Sequence, residues 1–197
     1  MRVLLIGLAA LVTGSIATAQ TPAAAAHLAR SVSAAIANVS GTPVRVRCDV
    51  TDGGYIDLMG HADRRHRLIE LHPGICRRLD DLAAPPAPVG TPAFAAESEA
   101  LLVAMHEAVH LSPYGAGTDE ALVECRAVQL VATAAVQLGS TAAQADALGH
   151  AALAFHQRLP GLGDRRVGLH GMPNYQSSDC YDGGPLDIHP ESSDWPN

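Results

Sequence analysis

The segment MHEAVHLSPYGAGTDEALVECRAVQ, from Met105 to Gln129, carries the most specific pattern in the chain. Two histidines stand four residues apart, with a glutamate directly after the first, and a proline- and glycine-bearing loop leads to a second acidic run. Leu102, Met105 and Val109 recur at helical spacing around the first histidine. The segment therefore predicts two consecutive helices, with both histidines on the first.

The histidines and the glutamate form the motif HExxH at His106, Glu107 and His110. Side chains four residues apart on a helix lie one above the other, with Cβ atoms about 5–6 Å apart, so two imidazoles can bind one zinc ion. Glu107 cannot face the same ion directly, but it can take a proton from a water bound to the metal, as a general base does. The alternative is three ordinary helix-surface residues; the helical setting favours the metal site.

A third protein ligand is expected, because a catalytic zinc site combines three protein ligands with one open position. The second helix offers Glu120 and Glu124. If this helix folds back antiparallel to the first, Glu120 lies level with His110, and Glu124 lies one turn deeper, level with His106. Spacing alone leaves both carboxylates as candidates.

The pair HEAVH and EALVECRA resembles the gluzincin type of zinc metallopeptidase, whose second helix carries Glu-x-x-small-acidic-x-x-Ala. The resemblance implies a zincin-like α+β fold, Zn2+ as the cofactor and hydrolysis of peptide bonds in a peptide or protein substrate. It also implies Glu120 as the third ligand and Glu124 as the acidic residue that orients the first histidine. The loop from His110 to Glu120 is shorter than in many gluzincins, and Glu124 replaces the usual aspartate or asparagine.

The second half of the chain is also similar to a group of small exported bacterial proteins with an HExxH helix. They share a Glu-bearing helix with Cys-x-x-x-Gln, here Cys125 and Gln129, and an ending like CYDGGPLDIHPESSDWP, here Cys180 to Pro196.

The N-terminus, MRVLLIGLAALVTGSIATAQ, has the layout of a secretory signal peptide: one arginine, an apolar run and the triplet Ala17-Thr18-Ala19. We expect a signal peptide over residues 1–19 and a single secreted or periplasmic domain over residues 20–197, with no stable membrane insertion after cleavage. An uncleaved anchor helix is the alternative, although the apolar run is short for a bilayer span of about 20 residues.

Composition limits the possible partners. The net charge is −7 and all 13 basic residues are arginine. No basic patch of the kind that follows a phosphate backbone is visible, so nucleic acid is not expected as a partner. We expect a monomer that acts on a peptide or protein.

Four cysteines in an exported chain indicate two disulfides rather than a metal cluster, because none shows the two-residue spacing of zinc-binding pairs. Three pairings are possible. We favour Cys48 with Cys76, at the ends of short elements, and Cys125 with Cys180, which ties a helix to the tail.

Periodicity predicts an α+β domain. A helix is expected between Thr21 and Gly41, followed by a small antiparallel sheet from PVRVRCDV, GYIDLMG and HRLIELH, with a solvated turn near HADRRHR. A short helix at ICRRLDDLA and a proline-rich connection then lead to the HExxH helix, the Glu-bearing helix capped by Thr118 or Asp119, and a further helix in STAAQADALGHAALAFHQRL. The tail beyond Pro160 is predicted to be loop, tied down by Cys180.

Other polar residues have weaker patterns. His150 and His156 lie six apart on the last helix, a spacing that does not share one face, so we interpret them as core-edge or surface residues. Four loop residues can approach the zinc and donate to an oxyanion: Tyr114, His170, Tyr175 and Tyr181. The tail can alternatively cover the cleft as a lid.

Two other functions compete with the peptidase. One is a secreted zinc-binding or interaction module without significant catalysis, and the other is an N-terminally anchored envelope protein. Metal analysis followed by peptide cleavage distinguishes the first, and the intact mass of the exported form distinguishes the second.

Overall fold

The computed structural model describes residues 30, 32–38, 41–49, 59–83, 86–113, 119–158, 175–191 and 195–196. The predicted signal peptide, the start of the predicted first helix and most of the strand predicted at GYIDLMG lie outside these residues. Tyr114, Thr118 and His170 lie outside them as well.

In the part of the chain that the structure describes, the sheet has three short strands, β1 (Arg45–Arg47), β2 (Gly60–Asp63) and β3 (Leu68–Leu71), in the spatial order β1-β3-β2. β2 and β3 are antiparallel, but β1 runs parallel to β3, so the sheet is mixed. The expectation of a purely antiparallel sheet is therefore wrong. Alternating apolar residues predict where a strand lies but not which strand it pairs with, and β1 pairs with the third strand instead of its neighbour in sequence.

β2 occupies Gly60 to Asp63, so it includes the start of HADRRHR, where a turn was expected. The turn itself is shorter and lies between β2 and β3. His66 closes it: its backbone N–H donates to the Asp63 carboxylate at 3.0 Å. Polar side chains on an edge strand resemble a turn in sequence, since only one face of β2 is covered.

Within the described residues, five helices accompany the sheet: α1 (32–38), α2 (Pro73–Ala83), α3 (Pro92–Leu111), α4 (Glu120–Gln137) and α5 (Ala142–His156). The α+β class is thereby confirmed. Local chemistry starts the last three helices, where Thr91, Asp119 and Thr141 act as N-caps that accept from backbone N–H groups in the first turn. α3 ends at Leu111, and its C-cap Ser112 stands directly before a proline.

α3 is the central element of the domain. It packs against α2, α4, α5, β2 and β3, and 13 of its 20 residues are buried. Because neighbours surround it, α3 is apolar on nearly all sides, with Leu101 and Met105 almost fully enclosed. The HExxH residues lie in the C-terminal half of this enclosed helix, where His106 and Glu107 are themselves buried.

Two disulfides join Cys48 to Cys76 and Cys125 to Cys180. The expectation of two disulfides is confirmed, and these are the pairs that the sequence analysis favours. The first links the chain after β1 to α2, and the second links α4 to the C-terminal segment. Disulfides of this kind indicate an extracytoplasmic location. None of the helices among the described residues combines the length and apolarity needed to cross a membrane.

Candidate metal centre

Three side-chain donor atoms converge where α3 faces the first turn of α4. Nε2 of His106 lies 3.0 Å from Oε2 of Glu120, Nε2 of His110 lies 3.2 Å from the same oxygen, and the two Nε2 atoms are 3.2 Å apart. A tetrahedral zinc ion with bonds of about 2.0–2.1 Å would space its ligand atoms about 3.3–3.4 Å apart. The three residues therefore form a group that can hold a metal ion.

The local fold explains why these atoms meet. His106 and His110 are one helical turn apart on α3, and Glu120 is the first residue of α4, directly after its N-cap. α3 and α4 pack against each other, which brings the start of one helix beside the end of the other. Glu120 therefore lies level with the histidine pair, as the antiparallel arrangement predicts.

Glu124 contacts the ring nitrogen of His106 that does not face the other donor atoms. Its Oε2 lies 2.7 Å from Nδ1 of His106, in a site where both side chains are buried. An Nδ1–H that donates to this carboxylate leaves the lone pair of Nε2 directed at Glu120 and His110. Two lone pairs and a carboxylate oxygen facing one another repel unless a cation lies between them, so the donor set fits a metal ion.

A proton can relieve this repulsion as a metal ion does, and the pKa of His106 shows how strongly the site attracts positive charge. Burial lowers this pKa, but the hydrogen bonds to Glu120 and Glu124 outweigh burial and raise it to about 10. The hydrogen bond from His106 in turn holds the pKa of Glu120 below its usual value, despite partial burial. The pocket is thus electrostatically negative.

Glu107 is buried beside the group and packs against β2. Burial raises the pKa of its carboxyl to about 7; the positive charge of His106 opposes this, while Glu120 and Glu124 add to it. A pKa near 7 suits a group that must accept and release a proton at neutral pH. A dication held by the three ligands would lower it.

Gly60 is the β2 residue that lies against Glu107. A Cβ built on Gly60 would stand 2.8 Å from Cγ and 3.1 Å from Oε1 of Glu107. The absence of a side chain is therefore what lets the edge strand approach the glutamate this closely. Nothing in the sequence pattern singles out this glycine.

His156 is buried more deeply than the core-edge or surface position expected for it. It is 4% exposed, and its Nδ1 lies 3.8 Å from Oε1 of Glu124, whereas His150 is exposed, as expected. The missed signal is its register: Leu148, Ala152 and His156 are spaced four apart, so His156 continues the buried apolar stripe of α5. Burial raises the pKa of Glu124, but the two neighbouring histidines outweigh it and hold the pKa below its usual value.

Two of the four loop residues proposed as oxyanion donors, Tyr175 and Tyr181, lie in the described part of the chain, and Tyr175 lies at the site. Its ring centroid lies 5.6 Å from that of His106. Burial, with added effects from Glu120, Glu124 and Glu107, raises the pKa of its phenol to about 12, so the phenol remains a proton donor at neutral pH. Tyr181 is 53% exposed and lies on the surface.

The segment that carries Tyr175 is tied to the helices at several points. Cys180 is bonded to Cys125 of α4, and the Gln129 side chain donates to the carbonyl of Leu186 and accepts from the backbone N–H of Ile188. Burial of Gln129 inside α4 is explained by this pair of bonds, since an amide enclosed in a core needs partners.

A separate cavity of about 500 Å³ lies between α2 and the N-terminal half of α3. Met59, Arg77, Arg78 and Glu99 are among its lining residues, and the metal-binding group is not part of it. It borders Met59, the residue before β2, but the converging donor atoms lie elsewhere, at the C-terminal half of α3 and the start of α4.

Comparison with protein-family models, with curated proteins and with solved structures gave no match to this chain. Function is therefore inferred from the geometry of the site.

Proposed function

We propose that the protein is an exported zinc metallopeptidase of the gluzincin type, with a zincin-like fold and Zn2+ held by His106, His110 and Glu120. The observation that supports it is the convergence of three donor atoms 3.0–3.2 Å apart, with a buried glutamate next in sequence to the first histidine. Two imidazoles and one carboxylate are a common donor set of catalytic zinc.

When bound, zinc would supply an acidified water and a Lewis acid for the substrate carbonyl. Glu107 is the general base of this proposal. Its carboxylate takes the proton of the attacking water and passes it to the leaving nitrogen as the amide bond breaks, so the same residue acts first as base and then as acid. Its burial beside the two histidines and its close contact with Gly60 support both steps.

Tyr175 and Glu124 have supporting roles. Tyr175 donates its phenolic O–H to the carbonyl oxygen, where negative charge develops during attack. Glu124 accepts from Nδ1 of His106, which fixes the tautomer and raises the basicity of the ligating nitrogen. Peptides or proteins outside the cytoplasm are the proposed substrates, and the protein acts as a monomer.

A second candidate is an exported zinc-binding module without significant hydrolysis. The observation that favours it is the low exposure of the ligands, with His106, His110 and Glu120 side chains only 9%, 14% and 22% accessible. Tyr175 contributes to this enclosure, because its ring contacts His106. A site of this kind can bind metal without admitting a peptide.

Metal analysis of the protein purified without chelator, followed by cleavage of an unbiased peptide library, tests the proposal. We expect about one zinc per chain, since the group forms one three-ligand site. His110→Ala should lose the zinc, while His150→Ala, at an exposed position of α5, serves as the control and should keep it. Zinc without cleavage would favour the binding module, and full zinc occupancy in His110→Ala would place the metal elsewhere.

A further inference from the structure

His106, Glu124 and His156 form a continuous buried row across three helices. His106 belongs to α3, Glu124 to α4 and His156 to α5, and all three side chains are less than a tenth exposed. One carboxylate oxygen, Oε2, faces Nδ1 of His106 at 2.7 Å, and the other, Oε1, faces Nδ1 of His156 at 3.8 Å. The carboxylate thus lies between two imidazoles.

The two ends of the row are unequal. His106 makes a hydrogen bond, whereas 3.8 Å is an ion-pair distance, longer than a hydrogen bond of about 2.7–3.2 Å. Nδ1 of His156 is buried and has no hydrogen-bond partner among the described residues. A buried polar nitrogen without a partner is costly, and the nearby acceptor is Oε1 of Glu124, so a displacement of about 1 Å satisfies both groups.

We propose that His156 is a positioning residue of the metal site, which holds Oε1 of Glu124 so that Oε2 remains aligned with Nδ1 of His106. This inference rests on the proposed metal site, but it concerns residues that do not bind the metal. A buried carboxylate with one donor can rotate about its terminal torsion, which is broad. A second donor on the opposite oxygen fixes the plane of the carboxylate and, through it, the orientation of the His106 ring.

His156 is itself held in place. Its backbone carbonyl accepts a hydrogen bond of 3.0 Å from the side chain of Gln176, one residue after Tyr175. The end of α5 therefore connects Glu124 to the segment that places Tyr175 beside His106. Loss of the imidazole should disturb Glu124 while this backbone contact remains.

Three substitutions of His156 separate positioning from packing. His156→Leu removes the donor and keeps an apolar filler, and His156→Gln keeps an amide but shifts the donor away from the Nδ1 position. His156→Asn places an amide N–H where Nδ1 stood. Zinc affinity by chelator competition should fall about tenfold in the Leu and Gln variants, at the lower end of the usual loss for outer partners of a ligand, and should be largely restored in Asn. His150→Leu on the same helix is the control and should bind zinc as the wild type does.

A double-mutant cycle decides whether His156 acts through Glu124. In a Glu124→Gln background, His156→Leu should cause no further loss of zinc affinity, because the carboxylate that it positions is gone. An equal loss in both backgrounds, or no loss in either, would overturn the proposal.

A readout without metal keeps this test separate from the proposed function. In metal-free protein labelled with 15N-histidine, the Nδ1 proton of His106 should exchange slowly in the wild type and in His156→Asn, and faster in His156→Leu and His156→Gln. If the wild type binds no zinc but this pattern is found, the positioning role stands and the metallopeptidase proposal fails. An unchanged His106 proton in all variants overturns the positioning role.

Discussion

Gly60 of the edge strand lies directly against Glu107 of the central helix, so close that a Cβ on Gly60 would stand 2.8 Å from Cγ of the glutamate. The contact joins the sheet to the proposed general base. It means that a backbone position in β2, far from the HExxH motif in sequence, sets the space available to Glu107.

Gly60→Ala should therefore lower turnover while leaving zinc bound. The new methyl group overlaps Cγ and Oε1 of Glu107 and also meets Leu71, so either the glutamate or the strand must shift. Misplacement of a catalytic group by about 1 Å can cost about 100-fold in rate. Steady-state kinetics measure the turnover of Gly60→Ala, and metal analysis of the same preparation measures its zinc content. Loss of zinc in parallel with activity would show that the substitution disturbs the ligands instead.

Glu107→Gln should keep zinc and lose hydrolysis, because an amide cannot accept the proton of the attacking water while the three ligands are untouched. We expect a fall in kcat of about 100-fold to 10,000-fold. Glu99→Gln is the matched control, since Glu99 lies on the same helix but lines the separate cavity. Undiminished turnover in Glu107→Gln would rule out this residue as the base.

Glu120 and Glu124 should differ in their effect on zinc. Glu120 offers an oxygen to both histidines, whereas Glu124 contacts the far nitrogen of His106. Glu124→Gln should weaken zinc binding by about 10-fold to 100-fold, the usual effect of losing an outer partner. Glu120→Gln should weaken it more, because only two protein ligands remain. Chelator competition measures the zinc affinity of both variants. A larger loss in Glu124→Gln would make Glu124 the ligand and Glu120 the outer partner.

The two disulfides should have separable effects. Each is expected to stabilise the fold by about 2–4 kcal/mol, but only the Cys125–Cys180 bond holds the segment that carries Tyr175. Replacing Cys125 and Cys180 by serine should therefore lower both stability and turnover, while the same change at Cys48 and Cys76 should lower stability alone. Denaturant unfolding measures the stability of each variant, and peptide cleavage measures its turnover. Equal turnover in both variants would show that the tail has no part in the mechanism.

Stability should depend on pH through Glu97, a buried residue away from the metal group. Burial raises the pKa of its carboxyl above the usual 4.5, although the backbone N–H of Ala87 opposes this. The folded protein therefore holds this proton more tightly than the unfolded chain does. The stabilisation that comes from the protonated Glu97 carboxyl is fully present below its pKa in the unfolded chain. It is lost as the pH rises through its pKa in the folded protein.

Glu97→Gln removes this dependence, because the amide does not titrate. The wild type should lose stability relative to the variant as pH is raised from about 4 towards neutrality. Thermal unfolding of both proteins across this range measures the difference. Parallel curves would show that the pKa of Glu97 is the same in the folded and unfolded chains.

Much of the helical framework was predictable from local sequence. Thr91 and Asp119 cap α3 and α4 because a short polar side chain can accept the free N–H groups of a first turn, a rule that acts over three residues. The helical period places His106 and His110 one turn apart, and the antiparallel return of α4 brings Glu120 level with them. These are short-range relationships, and a linear pattern records them.

The sequence by itself therefore determined the α+β class, the start of α4 after its Asp119 cap, and the pairing of two histidines on one helix face. Tertiary structure decided that β1 pairs in parallel with β3, that Gly60 lies against Glu107, that Tyr175 stands beside His106, and that His156 faces Glu124. Each of these contacts joins residues far apart in the chain, where no repeat or local propensity marks the partner. Such contacts form when the helices and the sheet pack together. A buried polar group needs a partner, and the partner comes from whichever element packs against it.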